Sequence, residues 1–351
     1  MSLRNNIFQV AMEALYFCGS HVLLRPWLGG VGAIMTLHHV RPSRRGQFQP
    51  NRLLEVTPAF FEKVVRRLRR SGTDLVSLDE MHRRMTERDF KKRFVCITFD
   101  DGYRDNLEYA YPVLKKYEVP FAIYVATGFI DRVGEMWWLA LEALVAKNEL
   151  LGLRIDGQDR WFNCRTPEEK QEVYQHLYWW LRRLKTEDEL RQVVRELAAR
   201  YLVDTSQYCA ELCMTWQELA ELAADPLVTI GAHTVNHVML TKVSEQAVRS
   251  ELENSRGVIE AALGVRPQHF AYPVGDHTSA GPREFKIAAE LGYKTAVTTR
   301  PGVIFKGHAE HLLALPRISL NGEFQRPRYA RVLVSGAATS LWNGFRPINV
   351  T

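Results

Sequence analysis

Residues 94–103, FVCITFDDGY, place two adjacent aspartates directly after a run of apolar side chains. The run predicts a buried strand that ends where Asp100 and Asp101 begin. Burying two carboxylates without partners is costly, so the pair needs a physical reason. Capping of a helix predicted over 106–117 would explain one aspartate more readily than both. Gly102 allows a sharp backbone turn, and we therefore treat this strand end as a candidate site.

The rest of the chain alternates further short apolar runs with amphipathic helices. This alternation is typical of a parallel sheet whose strands are connected by helices. With about seven strands, both a closed barrel and an open sheet fit the pattern, and either would form sites at the carboxyl ends of its strands. The other predicted strands are 33–37, 121–126, 227–232, 269–272, 294–299 and 315–320.

Accessory segments surround and interrupt this α/β core. The stretch after the strand at 121–126 is charged and helical, with two tryptophan pairs, and it predicts a helical insertion. The insertion forms a subdomain with its own small core, a lid beside the site, or a wall on which a sugar ring stacks. The predicted boundaries are 1–30 for an N-terminal helix, 31–130 and 214–325 for the core, 131–213 for the insertion and 326–351 for a C-terminal tail.

Composition limits the classes of function. The chain has 351 residues, of which 46% are hydrophobic and 25% charged, as in soluble globular proteins. The arginine cluster at 66–70 favours a solvated helix face over an anionic partner, and no basic aromatic or zinc-finger motif indicates nucleic acid. The five cysteines include no CxxC pair, so we expect a reducing compartment and a cytoplasmic location.

The N-terminal stretch at 3–24 is apolar but is interrupted by Gln9 and Glu13. It lacks a clear signal-peptide pattern and is too interrupted to predict a membrane span. We expect a helix packed on the domain, with peripheral membrane contact through 3–24 as the alternative.

A second group of polar residues follows the strand at 227–232, in the sequence IGAHTVNH. His233 and His237 are four residues apart, so one turn of helix would bring both imidazoles to one side. Two histidines and one carboxylate make a common set of three protein ligands for a divalent metal.

The motifs TFDDGY, HTVNH and FAYPVG, in this order, resemble those of the NodB-type polysaccharide deacetylases, carbohydrate esterase family four. The resemblance implies a distorted (β/α)7 barrel, the NodB homology fold, with the insertion outside it. It also implies metal-dependent removal of acetyl groups from N-acetylhexosamine residues in a glycan or glycolipid. The implied ligands are Asp101, His233 and His237, with zinc as the default metal and cobalt, nickel or iron as alternatives.

The resemblance also implies the residues that carry the reaction. Asp100 matches the catalytic base, and the backbone N–H of Val274 matches the donor to the oxyanion. Ala271 stands where the family often has an arginine that orients the base, and we expect Arg317 to supply that cation instead. Tyr103, Tyr272 and the insertion tryptophans are candidate substrate contacts.

The general acid is expected near the N-terminus, in the sequence LHHV at 37–40. This stretch resembles the histidine motif of one branch of the family, the poly-N-acetylglucosamine deacetylases. Because neighbouring side chains on a strand point to opposite faces, only one histidine can face the site. The resemblance makes His38 the acid and directs His39 away, towards the barrel wall or a carboxylate.

Two other functions remain open at this point. The same metal site could hydrolyse an amide or ester that is not a sugar, because a fold does not fix its substrate. Alternatively, the missing arginine and the altered Val274 position could belong to an inactive carbohydrate-binding homologue. The intact Asp100, Asp101, His233 and His237 argue against inactivity.

Overall fold

The computed structural model describes residues 3–350, with side chains from residue 7 onward. Within that range, seven parallel strands close into a ring in the order β1-β12-β11-β10-β9-β6-β5. The strands in chain order are β1 (Gly32–Leu37), β2 (His39–Val40), β3 (Glu55–Val56), β4 (Asp74–Leu75), β5 (Phe94–Phe99), β6 (Phe121–Val125), β7 (Leu150–Ile155), β8 (Gln158–Asn163), β9 (Val228–Ala232), β10 (His269–Ala271), β11 (Thr295–Pro301) and β12 (Leu315–Ser319).

Helices connect and surround these strands. The α-helices are α1 (Leu3–Phe17), α2 (Ser20–Leu23), α3 (Arg25–Leu28), α4 (Pro58–Arg69), α5 (Leu78–Thr86), α6 (Tyr111–Lys116), α7 (Thr127–Ile130), α8 (Trp137–Lys147), α9 (Pro167–Arg183), α10 (Glu187–Arg200), α11 (Tyr208–Leu212), α12 (Trp216–Ala223), α13 (Glu245–Leu263), α14 (Pro282–Glu290), α15 (Pro327–Val334) and α16 (Ala337–Trp342). Short 3-10 turns lie at Pro50–Leu54, Leu240–Lys242 and Lys306–Glu310, and a π-helical turn lies at Asn106–Ala110.

The ring closes through the pairing of β1 with β5, which runs from Gly32 opposite Phe94 to Leu37 opposite Phe99. Both strands are buried along their whole length, as expected when a barrel interior and a helix layer cover the two faces. The seven predicted strands are therefore confirmed, and the open-sheet alternative is excluded. All seven carboxyl ends meet at one end of the barrel, where the candidate site lies.

The insertion is mainly helical, as predicted, but it also contains an antiparallel hairpin of β7 and β8. The hairpin turns at Asp156 and Gly157, both with positive φ (50° and 80°). An Asp-Gly pair is a strong signal for a two-residue hairpin turn, so this hairpin could have been predicted from the sequence.

The two ends of the chain pack against each other. The carboxylate of Glu13 on α1 accepts hydrogen bonds from Arg326, Arg328 and Tyr329. The described part of the predicted C-terminal tail therefore forms α15 and α16, and α15 packs against α1. None of the described helices has the length and apolar character needed to cross a bilayer.

Candidate active site

Asp100 and Asp101 occupy the carboxyl end of β5 and are almost fully buried. The backbone is left-handed at two successive positions, Asp101 (φ 73°) and Gly102 (φ 74°). A left-handed conformation is unfavourable for a residue with a side chain, and such strain is concentrated at functional sites. The turn allows the two adjacent carboxylates to contact different side chains.

Asp101 faces two histidines. Its Oδ1 lies 3.4 Å from Nε2 of His233 and 3.4 Å from Nε2 of His237. One ligand atom from each residue lies within 4.8 Å of the others. His233 donates from Nδ1 to the carbonyl oxygen of Ala271 at 2.7 Å, which leaves the Nε2 lone pair free. Asp101 Oδ1 is buried and has no hydrogen-bond partner among the described residues.

The pKa shifts of His237 and Asp101 suit a cation. Burial opposes protonation of His233, but its contact with Asp101 raises the pKa of this imidazole, so a metal ion would have to displace that proton. Burial lowers the pKa of His237 to about 3, so its imidazole is neutral at physiological pH. Burial opposes ionisation of Asp101, but the adjacent His237 and His233 hold the pKa of this carboxyl below its ordinary value. One carboxylate and neutral imidazole nitrogen atoms are ligands that zinc and similar divalent ions prefer. The three residues therefore fit a divalent metal ion.

The two histidines are not joined by a helical turn, contrary to the sequence prediction. Residues 233–239 form a loop in which Thr234 (φ 64°) and His237 (φ 54°) are left-handed. The His237 N–H donates to Thr234 Oγ1 at 2.9 Å. Glu251 on α13 accepts from the N–H groups of Val235 and Asn236 at 2.8 and 3.0 Å. These bonds fix the loop in place of a helix, and no sequence motif predicts them.

Asp100 pairs with Arg317 on β12. Two parallel hydrogen bonds of 2.7 Å join the guanidinium to the two carboxylate oxygens. Arg317 is itself held by Nε donation to the carbonyl oxygen of Thr298 at 2.8 Å. Burial alone would raise the pKa of Asp100, but Arg317 reverses this and keeps the carboxyl ionised. Arg317 is thus placed as the sequence analysis expected, beside Asp100 rather than on the protein surface.

The two neighbouring histidines face opposite ways. His38 is partly exposed and its Nε2 lies 3.9 Å from Asp100 Oδ2. His39 is buried, bonds through Nδ1 to Asp105 Oδ2 at 2.6 Å, and stacks on Tyr103 with ring centroids 3.7 Å apart. Burial lowers the pKa of His38, while the carboxylates of Asp101 and Asp100 oppose that shift and favour the protonated ring.

Of the other predicted site residues, Val274 lies in a loop at the site, whereas the two tyrosines are buried in the core. Val274 lies in the loop after β10 with φ 62°, and no backbone carbonyl of the described residues accepts from its N–H. Tyr272 is buried, and its hydroxyl donates to the carbonyl oxygen of Leu313 at 3.0 Å. Tyr103 is equally buried under His39. The two tyrosines are therefore core residues that lack an exposed face for substrate, which corrects their assignment as contacts.

The insertion contributes one wall of the site. The ring of Trp138 lies 5.0 Å from that of His237, and Phe129 stacks on the same imidazole at 5.5 Å. Trp137 and Trp180 are buried in the insertion, whereas Trp179 is about half exposed (49%). Trp138, also buried, is therefore the one of the four paired tryptophans that lies closest to the candidate metal ligands, which the sequence could not distinguish from the other three pair members.

A family model described as polysaccharide deacetylase matches residues 87–296, which is more than half of the chain and includes both aspartates and both histidines. The chain belongs to the polysaccharide deacetylase family. This agrees with the resemblance found in the three motifs.

Relatives in the family match at moderate identity. The candidate polysaccharide deacetylase YxkH of Bacillus subtilis is 23% identical over 228 residues, which is 65% of this chain and 52% of YxkH. The poly-beta-1,6-N-acetyl-D-glucosamine N-deacetylase of Staphylococcus aureus is 34% identical over 95 residues, 27% of this chain and 31% of that protein. The chain therefore spans about half or less of the length of these curated relatives.

Solved structures of family members share the fold. The Streptococcus pyogenes deacetylase PplD, in complex with acetate, aligns with a TM-score of 0.55 and 21% identity over 83% of this chain and 92% of its own. IcaB from Ammonifex degensii aligns with a TM-score of 0.54 and 19% identity over 86% and 97% of the two chains. At these identities the likeness supports the barrel fold alone.

The donor set predicts metal binding that depends on both histidines. Replacing His233 or His237 by Ala removes one of three ligands, and we expect zinc affinity to fall at least about 100-fold. Calorimetric titration of metal-free protein with zinc measures this directly. His39→Ala is the control, because that ring contacts Asp105 and not the cluster. Equal affinity in the wild type and both ligand variants would contradict the assignment.

The Asp100–Arg317 pair predicts that loss of the arginine alone destabilises the protein more than loss of both charged groups. Arg317→Met leaves a buried carboxylate without its partner and should cost about 3–5 kcal/mol of unfolding free energy. Adding Asp100→Asn to this variant removes the stranded charge and should recover part of the loss. Urea unfolding of the wild type, both single variants and the double variant measures the coupling. Additive effects would show that the two side chains do not interact.

Proposed function

We propose that this protein removes acetyl groups from N-acetylhexosamine residues of a glycan or glycolipid, in a reaction that depends on a divalent metal. The observation that carries the proposal is the cluster of Asp101, His233 and His237 beside an ionised Asp100 held by Arg317. This combination lies at the carboxyl end of a barrel in a chain of the polysaccharide deacetylase family.

Asp101, His233 and His237 would hold the metal, with zinc as the preferred ion and cobalt, nickel or iron as alternatives. The ion would supply Lewis-acid polarisation of the acetamide carbonyl next to the attacking water. The two histidines are positioned before binding, because the Ala271 carbonyl holds His233 and Glu251 holds the loop that carries His237. Little reorganisation is then needed when the ion and the substrate arrive.

Asp100 acts as the general base in this proposal. Its two oxygens each accept one bond from Arg317, and a carboxylate retains further lone pairs for the proton of water. Arg317 has a positioning role, since it fixes the carboxylate plane and keeps the group ionised. The Val274 N–H is proposed as a donor to the oxygen that becomes negatively charged.

His38 is the proposed general acid for the departing amine. Its contact with Asp100 keeps it at the site, and partial exposure leaves it in reach of a bound sugar. After the water has added to the carbonyl carbon, the C–N bond breaks and His38 gives its proton to the amine nitrogen. Acetic acid and the free amino sugar leave and ionise in water to acetate and an ammonium group, and the proton that Asp100 took from the water then returns to solvent or to His38.

The choice of a glucosamine-based acceptor rests on the named relatives. The staphylococcal relative is named for poly-beta-1,6-N-acetyl-D-glucosamine, and its match covers 95 residues. Trp138 packs beside His237 but is almost fully buried, so it supports the imidazole and is not itself proposed as a sugar contact.

Acetate release from N-acetylglucosamine oligomers tests the proposed function. Wild-type protein should release acetate in a zinc-containing buffer, lose this activity in EDTA, and regain it when zinc, cobalt or nickel is restored. Simple ester substrates and acetylated lysine peptides serve as controls for a hydrolase that does not act on sugars. Folded, metal-loaded protein that releases no acetate from oligomers or from glycolipid precursors would contradict the proposal.

The opposite orientations of His38 and His39 predict different losses on substitution. His38→Ala should reduce kcat by about 10²–10⁴-fold with little change in thermal stability, because it removes a proton donor from a partly exposed position. His39→Ala should lower stability by about 1.5–3 kcal/mol, because Asp105 loses a buried hydrogen bond. Steady-state kinetics and thermal unfolding of both variants separate the two effects. Full activity in His38→Ala would exclude it as the acid.

A further inference from the structure

The N-terminal helices leave a broad apolar surface uncovered. Phe17 and Trp27 are each 73% exposed. We call this surface the apolar ridge, and its exposed members are Ile7, Val10, Phe17, Val22, Leu23, Leu24 and Trp27 from α1–α3 and Leu341, Trp342 and Phe345 from α16 and the residues after it. The two groups are continuous, because α1 and α3 both contact α16 and the rings of Phe8 and Trp342 lie 5.7 Å apart. Such large patches on a folded chain mark interaction sites.

Helix α1 is apolar on two sides. Met12 is buried, and Phe8 and Leu15 pack against the barrel core. Ile7, Val10 and Phe17 point outward on the opposite side at the i, i+3 and i+10 positions of one helical face. Packing on the domain therefore buries the apolar side chains on only one side of this helix. Those on the outward side remain exposed to solvent.

A cationic cavity adjoins the ridge. It has a volume of about 360 Å³ and lies between α2, α3, α4 and α15, with Val22 of the ridge in its wall. Its lining includes the side chains of Arg25, Arg67, Arg70 and Arg331 and no aspartate or glutamate. Within the part of the chain with described side chains, Arg67, Arg70 and Arg331 form no ion pair with a carboxylate. Four guanidinium groups around one cavity create a strong attraction for an anion.

His21 provides a second, independent sign of a ligand in this cavity. The side chain is 94% buried, since only 6% of it is exposed, and it forms part of the cavity wall. Its Nδ1 bonds to the carbonyl oxygen of Leu15 at 3.0 Å, whereas its Nε2 is buried with no hydrogen-bond partner in the described structure. An unpartnered buried nitrogen is costly. In the imidazolium form of the ring, Nε2 also carries a proton, and it could then donate to an oxygen of an anionic ligand in the cavity.

We propose that this cavity binds the phosphate group of an anionic phospholipid while the apolar ridge inserts into the same bilayer surface. Arginine forks suit phosphate oxygens, and tryptophans such as Trp27 and Trp342 favour the membrane–water interface. The ridge provides the shallow apolar insertion and the cavity provides the electrostatic attraction, which together give the two signals needed for stable peripheral binding.

The arrangement favours a bilayer over a second copy of the chain. A two-fold contact across the ridge would bring the same carboxylate-free arginine cluster from both copies to one interface. Like charges brought together in this way repel each other. An anionic membrane instead complements the arginines and the ridge at the same time.

Vesicle co-sedimentation tests the proposal with the full-length chain. Wild-type protein should sediment with phosphatidylcholine vesicles that contain phosphatidylglycerol, and much less with phosphatidylcholine alone. Arg67→Glu and Arg331→Glu should each weaken binding to the anionic vesicles by about tenfold or more. Arg183→Glu is the matched control, since Arg183 is an exposed arginine of the insertion, away from the cavity.

The ridge has its own matched pair of variants. Trp27→Ser should reduce binding to anionic vesicles severalfold. Trp161→Ser should leave it unchanged, because Trp161 is a similarly exposed tryptophan (67%) on the hairpin of the insertion. Circular dichroism melts confirm that each variant is folded. Acetate release from soluble oligomers should remain at the wild-type level, so failure of this proposal is distinct from failure of the proposed function.

Three results would overturn the proposal. The first is equal sedimentation with both vesicle types, or equal loss in Arg67→Glu and Arg183→Glu. The second is binding of inorganic phosphate that Arg67→Glu abolishes, without any binding to vesicles, which would assign the cavity to a soluble anion. The third is a dimer in light scattering that Trp27→Ser converts to a monomer, again without vesicle binding.

Discussion

The arrangement of the site depends on the buried ion pair between Asp100 and Arg317. Two adjacent carboxylates at a barrel end cannot both remain ionised in a buried place unless each has a compensating partner. Arg317 compensates one of them with two hydrogen bonds of 2.7 Å and is itself fixed to the Thr298 carbonyl. Because β1 lies between β5 and β12 in the ring, the contact spans a closed barrel end and requires that closure.

Because Arg317 pairs with Asp100 alone, the carboxylate of Asp101 is available to bind a metal ion. The left-handed turn at Asp101 and Gly102 directs its carboxylate to His233 and His237 instead of to Arg317. The two aspartates are neighbours in sequence, yet Asp100 is paired with a fixed cation of the protein, whereas Asp101 faces two imidazoles and its Oδ1 has no hydrogen-bond partner among the described residues. The difference in partners is the physical basis for assigning proton transfer to one residue and metal ligation to the other.

Much of this could be predicted from the sequence, because strand burial and motif order are local properties. The seven barrel strands follow from short apolar runs. Alternation along a strand predicts that only one of His38 and His39 faces the site, and the resemblance to the family selected His38, which lies beside Asp100. The loop conformation at His237 could not be predicted, because it depends on Glu251 from a distant helix. The burial of Tyr272 could not be predicted either, because the carbonyl that accepts its hydrogen bond belongs to Leu313, 41 residues away. Periodicity identified α1 as a packed helix but could not show that its outward side is also apolar.

The division of tasks between the two aspartates is tested most directly by measuring zinc binding and acetate release together in Asp100→Asn and Asp101→Asn. We expect Asp100→Asn to bind zinc within about threefold of the wild type but to lose at least about 100-fold in kcat, because the base is gone and the ligands are intact. Asp101→Asn should lose zinc affinity and activity together. Loss of zinc binding in Asp100→Asn with retention in Asp101→Asn would contradict the account and exchange the two roles.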